Sequence, residues 1–301
     1  LAVPRGAALA HIPAMEEIPT LAAPPGPAPG GQGVPSPRRA EDTYVLDPAW
    51  AKERQRQEAQ GSLYDAATFR HLAALGVGPG HRCLELGAGT GSVACWLSER
   101  VGATGRVVAV DRDTRWLDAL RRDNLEVRGA DLTEAGTIEE GAYDLVCCRL
   151  LLMHLPRRQE VLRRMVRALR PGGCILVEDF DCFSAGVAHP PSEALDRAAV
   201  ALGLTFQAAG ANPWYGRELP GALDDAGAED VEMEATVGVV RCGTPGAEVL
   251  ALVIEHLGPR MEALRLLSRE EASVAVSMAR TPNGRMVYAP TMVAAWGRRP
   301  R

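Results

Sequence analysis

Between Arg82 and Glu178 the chain repeats one pattern. A short, almost unbroken apolar run is followed by a stretch in which apolar residues return every three or four positions. The runs are Arg82 to Leu86, Val107 to Val110, Leu125 to Arg128, Tyr143 to Cys148 and Cys174 to Glu178. Short apolar runs bounded by turn residues predict strands, and the periodic stretches Val93 to Val101, Arg115 to Arg122 and Gln159 to Leu169 predict helices between them. Such alternation implies βαβ units and a parallel sheet covered on both faces, with right-handed crossovers. Upstream, Ala49 to Gly61 is dense in Lys, Arg, Glu and Gln and reads as an exposed helix; Leu63 to Leu75 reads as a second helix, ended by the glycines and proline of 76–80. After Phe180 the pattern loosens. Pro190, Pro191, Pro213 and Pro220 punctuate an irregular region, Val231 to Val240 and Met286 to Trp296 read as strands, and Ala247 to Leu257 and Met261 to Ala279 as helices. Leu21 to Pro37 has almost no large apolar residue and cannot offset its ordering entropy, so residues 1–40 are expected to be a disordered Ala/Pro/Gly-rich tail, with order beginning near Tyr44. The chain begins on Leu1, and Met15 is a candidate start, with the residues before it outside the native protein.

Composition narrows the class. A chain of 301 residues suits one sizeable domain or two small ones, and 47% hydrophobic with 24% charged residues is an ordinary globular mixture. No apolar run reaches the roughly 18–20 residues of a membrane span, and Pro4 and Pro13 break the only segment resembling a signal peptide. A net charge of −5 does not favour nucleic acid, whose binding depends on neutralising phosphates. Seven cysteines make an odd number with no CxxC pair; Cys83, Cys147, Cys148 and Cys174 sit in apolar runs and read as buried reduced thiols, which fits the cytoplasm.

The first apolar run leads into Glu85-Leu86-Gly87-Ala88-Gly89-Thr90-Gly91. A glycine-rich turn at the carboxyl end of a strand lets backbone approach a ligand closely. A phosphate-binding Walker loop needs Gly-Lys-Ser/Thr, which is absent, and a dinucleotide fingerprint needs Gly or Ala where Ser92 stands. The spacing ExGxGxG resembles motif I of the class I methyltransferases that use S-adenosylmethionine (SAM), with a purely structural βα turn or a nicotinamide site as the alternatives. Further landmarks follow in order. Asp111 closes the second strand and resembles the family's ribose ligand, with Arg112 beside the adenosine. Ala130 and Asp131 match the family's adenine contacts. The fourth strand ends at Arg149 beside the expected methyl position, and Leu169-Arg170-Pro171-Gly172-Gly173 precedes the fifth. The resemblance covers about residues 60 to 180. It implies a Rossmann-like seven-stranded, mostly parallel sheet with helices on both faces plus a helical lid. It also implies a cofactor site of Tyr64, Glu85, Gly87, Ala88, Gly89, Gly91, Asp111, Arg112, Ala130, Asp131 and Arg149. The expected organisation is the tail at 1–40, a helical lid at 41–75, the SAM-binding core at 76–180, and at 181–301 a cap segment, helices and the final strand pair.

The family member implied is a small-molecule enzyme of the quinone-pathway or bacterial natural-product type, with no nucleic acid or membrane partner and a homodimer left open. An RNA or protein methyltransferase and a non-catalytic SAM-binding protein are the alternatives. The Arg-rich stretch from Pro156 to Arg170 reads as an amphipathic helix with a solvated basic face rather than an RNA track. Methyl transfer from a sulfonium is an in-line displacement that needs alignment and a dry pocket but no metal, and no HExxH-type spacing is present. A base is required only if the nucleophile must lose a proton; His154 is the candidate, with Asp179 and Asp181 expected at the pocket mouth. A working base would make turnover rise through pH 6–7, near the free imidazole's pKa of about 6.5. Trp214 and Tyr215 either stack on a planar substrate or pack the cap.

Overall fold

The computed structural model describes residues 45–134, 136–182 and 188–301. The tail expected at 1–40 and the start of order at Tyr44 lie outside the described residues. The chain enters through α1 (Glu53–Ala74) and then lays down β1 (Arg82–Leu86), α2 (Ser92–Val101), β2 (Arg106–Asp111), β3 (Leu125–Gly129), β4 (Tyr143–Arg149), α3 (Arg158–Ala168) and β5 (Leu169–Asp181). These five strands are parallel, in the order β3-β2-β1-β4-β5. There follow β6 (Ala188–His189), α4 (Glu193–Ala208), α5 (Leu219–Asp225), β7 (Glu229–Arg241), α6 (Pro245–Ala263), α7 (Arg269–Arg280) and β8 (Met286–Arg298). β8 runs antiparallel between β5 and β7. The expected seven strands are thus joined by an eighth of two residues, β6, which pairs with the first residues of β8.

The alternation that made the strands readable also divides the core. Leu84, Leu86, Val108 and Val146 face α3 and α5, where Leu162, Met165, Leu219 and Leu223 cover them. Their sequence neighbours Cys83, Val107, Ala109 and Leu145 point the other way, onto Val93, Leu97 and Val101 of α2 and Leu72 of α1. Both faces are sealed, as a parallel sheet requires. A third apolar cluster joins α4, α6 and α7 through residues such as Leu195, Ala251, Ile254 and Ala275. Cys83, Cys147, Cys148 and Cys174 are free and buried.

Four helix expectations change. Ala49 to Gly61 and Leu63 to Leu75 form the single helix α1, and its polar first half is exposed along one side only, through Arg54, Gln55 and Glu58. Glu53 and Arg56 are buried there as a bidentate pair at 2.6 and 2.8 Å. Arg115 to Arg122 makes only one 3-10 turn at Leu117–Ala119. The chain then turns extended at Leu120, whose side chain, with that of Leu117, packs onto Gly91. The region read as irregular holds α4 and α5: Pro190 and Pro191 precede the Ser192 cap of α4, and Pro220 stands in the first turn of α5, where the missing N–H removes no bond. The helix expected over Met261 to Ala279 is interrupted, and α7 starts afresh from a capping box in which Ser268 and Glu271 satisfy each other's backbone N–H groups.

Candidate active site

The turn between β1 and α2 places Gly87, Gly89 and Gly91 at φ 71, 54 and 85°, a region that favours glycine. Space sets two of them apart. A Cβ on Gly89 would lie 2.6 Å from Gln57 Oε1 of α1, and one on Gly91 would lie 2.5 Å from Leu120 Cδ1. The amide of Gly89 donates to Asp111 Oδ2 at 2.8 Å, and the amide of Asp113 donates to Oδ1 at 2.9 Å, so the end of β2 fixes the turn.

Above this turn lies a cavity of about 460 Å3. Its lining includes Glu85, Gly87, Ala88, Gly89, Asp111, Arg112, Ala130, Asp131, Arg149 and His154. Two residues expected to touch a cofactor do not line it. Gly91 is a packing glycine, needed because Leu117 and Leu120 occupy the space of its side chain. Tyr64 is buried on the far side, edge-on to Phe180 at 5.5 Å, where it lines a second cavity. Other lining residues escaped the sequence reading: Arg56 and Gln57 on α1, and Trp116 and Thr133 in loops. None sits in a recognisable motif; the contacts are made by the fold.

The charges at this cavity are strongly modified. Burial, opposed by Arg149, pushes the Glu85 carboxyl up to about 8, and its Oε2 has no hydrogen-bond partner among the described residues. Burial also raises Asp111, against the backbone amides it accepts from. Asp131 is lowered by the Thr133 hydroxyl and amide, which donate to its Oδ1 at 2.7 and 2.8 Å. Arg149 reaches across to α1, donating to Thr68 Oγ1 at 2.9 Å and Asp65 Oδ1 at 2.8 Å.

The second cavity, about 160 Å3, is walled mainly by apolar residues of α1, α4, α6 and the start of β8. It shares Arg56, Gln60, Leu150 and His154 with the first. His154 therefore stands on the common wall, at the end of the 3-10 turn Leu152–His154. Burial, then the nearby cations Arg56 and Arg158, push its pKa down to about 3, so the ring is neutral. Asp179 lines neither cavity. It is fully buried under the same turn, its Oδ2 accepting from the Met153 amide at 3.1 Å, and burial raises its carboxyl to about 8. The expectation of Asp179 at a pocket mouth is corrected by this placement: the residue supports the turn that carries His154. Asp181 is ion-paired with Arg217 at 2.7 Å. Tyr215 belongs to the core between α3 and α5, and Trp214 is half-buried and lines neither cavity.

Comparison with known proteins decides the family. A methyltransferase domain model matches residues 84–177. The methyltransferase str3 of Strobilurus tenacellus is 30% identical over 195 residues, which make up 63% of this chain and 67% of str3. The chain belongs to the class I SAM-dependent methyltransferases. The methyltransferase GfsG of Streptomyces halstedii is 34% identical over 110 residues, and there the match spans 35% of this chain and only 40% of GfsG. The phosphoethanolamine N-methyltransferase 2 of Haemonchus contortus, solved with S-adenosyl-L-methionine, shares the fold at a TM-score of 0.53 and 17% identity, over 84% of this chain and 59% of that one. The residues of the larger cavity fit the family's cofactor. Glu85 offers an orphaned buried acceptor to a cation, the bare backbone at Gly87 and Gly89 admits close approach, and Asp111 presents a carboxylate at the end of β2.

Proposed function

We propose that the protein moves a methyl group from SAM, held at the glycine turn, to a small-molecule acceptor in the adjoining apolar cavity. The observation that carries this reading is the shared wall of Arg56, Gln60, Leu150 and His154, which brings the two cavities within reach of one reacting centre. SAM supplies a methyl on a sulfonium whose leaving group is already activated. The chain's part is to bind, orient and exclude water, which suffices for large rate gains in an in-line displacement. Glu85 receives the cationic methionine part, Asp111 accepts from the ribose hydroxyls, and Ala130 with Asp131 contacts the adenine. The neutral imidazole of His154 orients the acceptor by accepting its hydrogen bond at the shared wall. α1 acts as the lid expected at 41–75, since it supplies residues to both cavities. The apolar lining of the second cavity supports a small acceptor over RNA, whose phosphates call for a cationic track. Free, buried cysteines agree with a cytoplasmic setting.

Titration calorimetry tests the cofactor: SAM and S-adenosylhomocysteine should bind at micromolar strength and NAD far more weakly. NAD binding tighter than SAM overturns the reading. Transfer from methyl-labelled SAM to small-molecule acceptors tests the reaction; label appearing only on RNA or protein would contradict it.

A further inference from the structure

One helix wall of the apolar cavity carries a glycine that the fold itself does not require. On α4, Ala199, Leu202, Gly203 and Phe206 line the cavity, at the i, i+3, i+4, i+7 spacing of one helix face. Gly203 lies well inside a helix of 16 residues. Its φ is not in the left-handed region that favours glycine, and a Cβ placed on it would meet nothing within 4 Å. Gly246, which lines the same cavity, is different: its Cβ would lie 2.9 Å from Val240 Cγ1, so packing accounts for it. Neither conformation nor close approach calls for glycine at 203, and a glycine inside a helix destabilises it relative to alanine. What its bare backbone does leave is room in the cavity.

The chemistry of that room is also defined. Two basic side chains are among the described lining residues, Arg56 and His154. The Arg56 guanidinium is held by Glu53 through two bonds of 2.8 and 2.6 Å, and His154 is neutral. The remaining lining is dominated by Leu, Val and Phe side chains. A dry apolar cavity of ~150 Å3 accommodates a single benzene ring, and this one is about 160 Å3. We infer that Gly203 is the size-determining position of the acceptor site, kept bare so that α4, α1 and α6 can enclose an uncharged substituted ring whose polar atom meets the wall at His154. The inference rests on the methyltransferase reading and deepens it: the acceptor is a neutral aromatic or ring-type small molecule, and its substituent lies against Gly203.

The test uses the full chain saturated with S-adenosylhomocysteine, with calorimetric titration of phenol, 4-ethylphenol and 4-hydroxyphenylacetate into wild type, Gly203→Ala and Gly203→Leu. Wild type should bind 4-ethylphenol at least tenfold more tightly than the carboxylate analogue. Gly203→Leu should lose at least tenfold for 4-ethylphenol yet keep its phenol affinity within threefold, with Gly203→Ala between. Both variants should bind S-adenosylhomocysteine within threefold of wild type, and Gly203→Ala should melt no lower than wild type. Equal losses for phenol and 4-ethylphenol overturn the role of Gly203, as does a clear fall in the melting temperature of Gly203→Ala. Comparable wild-type affinity for the carboxylate analogue overturns the acceptor class. Binding of S-adenosylhomocysteine without any binding of 4-ethylphenol overturns the inference alone; failure to bind S-adenosylhomocysteine overturns the methyltransferase reading beneath it.

Discussion

Asp111 uses both carboxylate oxygens on backbone amides, yet a carboxylate has about four lone-pair sites and this one faces the cavity. Replacing it with Ala should therefore weaken SAM more than tenfold, about 1.4 kcal/mol. Bonds to a charged group contribute ~1.5–3 kcal/mol each, and the glycine turn loses its anchor as well. A calorimetric change below threefold would remove Asp111 from the site. Glu85 makes a prediction with a sign. With its pKa at about 8, the empty site holds a proton at neutral pH, whereas a bound cation favours the carboxylate. Binding should release a proton, and SAM affinity should rise with pH and level off above about 8. Binding enthalpies measured in two buffers of different ionisation enthalpy report that proton, and Glu85→Gln should abolish it. His154, with its pKa near 3, stays neutral throughout the working range, so its imidazole does not produce the turnover rise through pH 6–7 expected from the sequence. Wild type and His154→Gln should show pH profiles of the same shape between 5 and 8, although the variant is slower; an inflection lost in the variant would restore the base. Motif residues such as Glu85 and Asp111 were legible because a turn and a strand end are local in sequence. Tyr64, Gly91 and Asp179 were misplaced because side-chain direction and neighbours come from distant segments.

Among the elements, α1 ties the site together. Asp65 accepts from Arg149 at 2.8 Å and from Ser92 Oγ at 3.0 Å, while Thr68 donates to Glu178 Oε2 at 2.6 Å and His71 Nδ1 lies 3.0 Å from Glu178 Oε1. The helix is thus fastened to the ends of β4 and β5 and to the start of α2 by buried and part-buried polar bonds, beside the apolar contact of Leu72. Asp65→Ala should cost about 1–3 kcal/mol, less than the ~3–5 of a fully buried pair, because the Arg149 and Asp65 side chains remain 13% and 22% exposed. Amide exchange over 53–74 should quicken and SAM affinity should fall; unchanged exchange there would mean the clasp is idle. Periodicity finds apolar faces, and so the strands are readable from Arg82 onward, while the polar stretch Ala49 to Gly61 reads as an exposed helix separate from Leu63 to Leu75. Prolines hide α4 and α5 from the sequence as well: they look like breakers, but Pro190 and Pro191 lie just before the cap of α4 and Pro220 in the first turn of α5.

At the scale of the molecule, the buried carboxyl of Asp179 links stability to pH. Its pKa is about 8 in the fold, raised by burial, against about 3.9 in an unfolded chain. Between those values the unfolded state is ionised and the fold keeps its proton, so stability is greatest below about pH 4 on this account and declines as pH rises to about 8. Asp179→Asn keeps an acceptor for the Met153 amide and should flatten that decline, read as the urea midpoint at pH 5 and pH 8; an undiminished slope would assign it to other groups. The placement of β8 between β5 and β7 bears on synthesis rather than on chemistry. β5 ends at Asp181 and the strand that covers its free edge begins only at Met286. At ~5–20 residues per second a ribosome needs about 5–20 seconds to deliver that strand. For that interval the nascent sheet offers the bare edge of β5 to any other chain, a template for mispairing that makes yield in a crowded cell depend on how quickly translation passes through the cap or on a chaperone that shields the edge meanwhile.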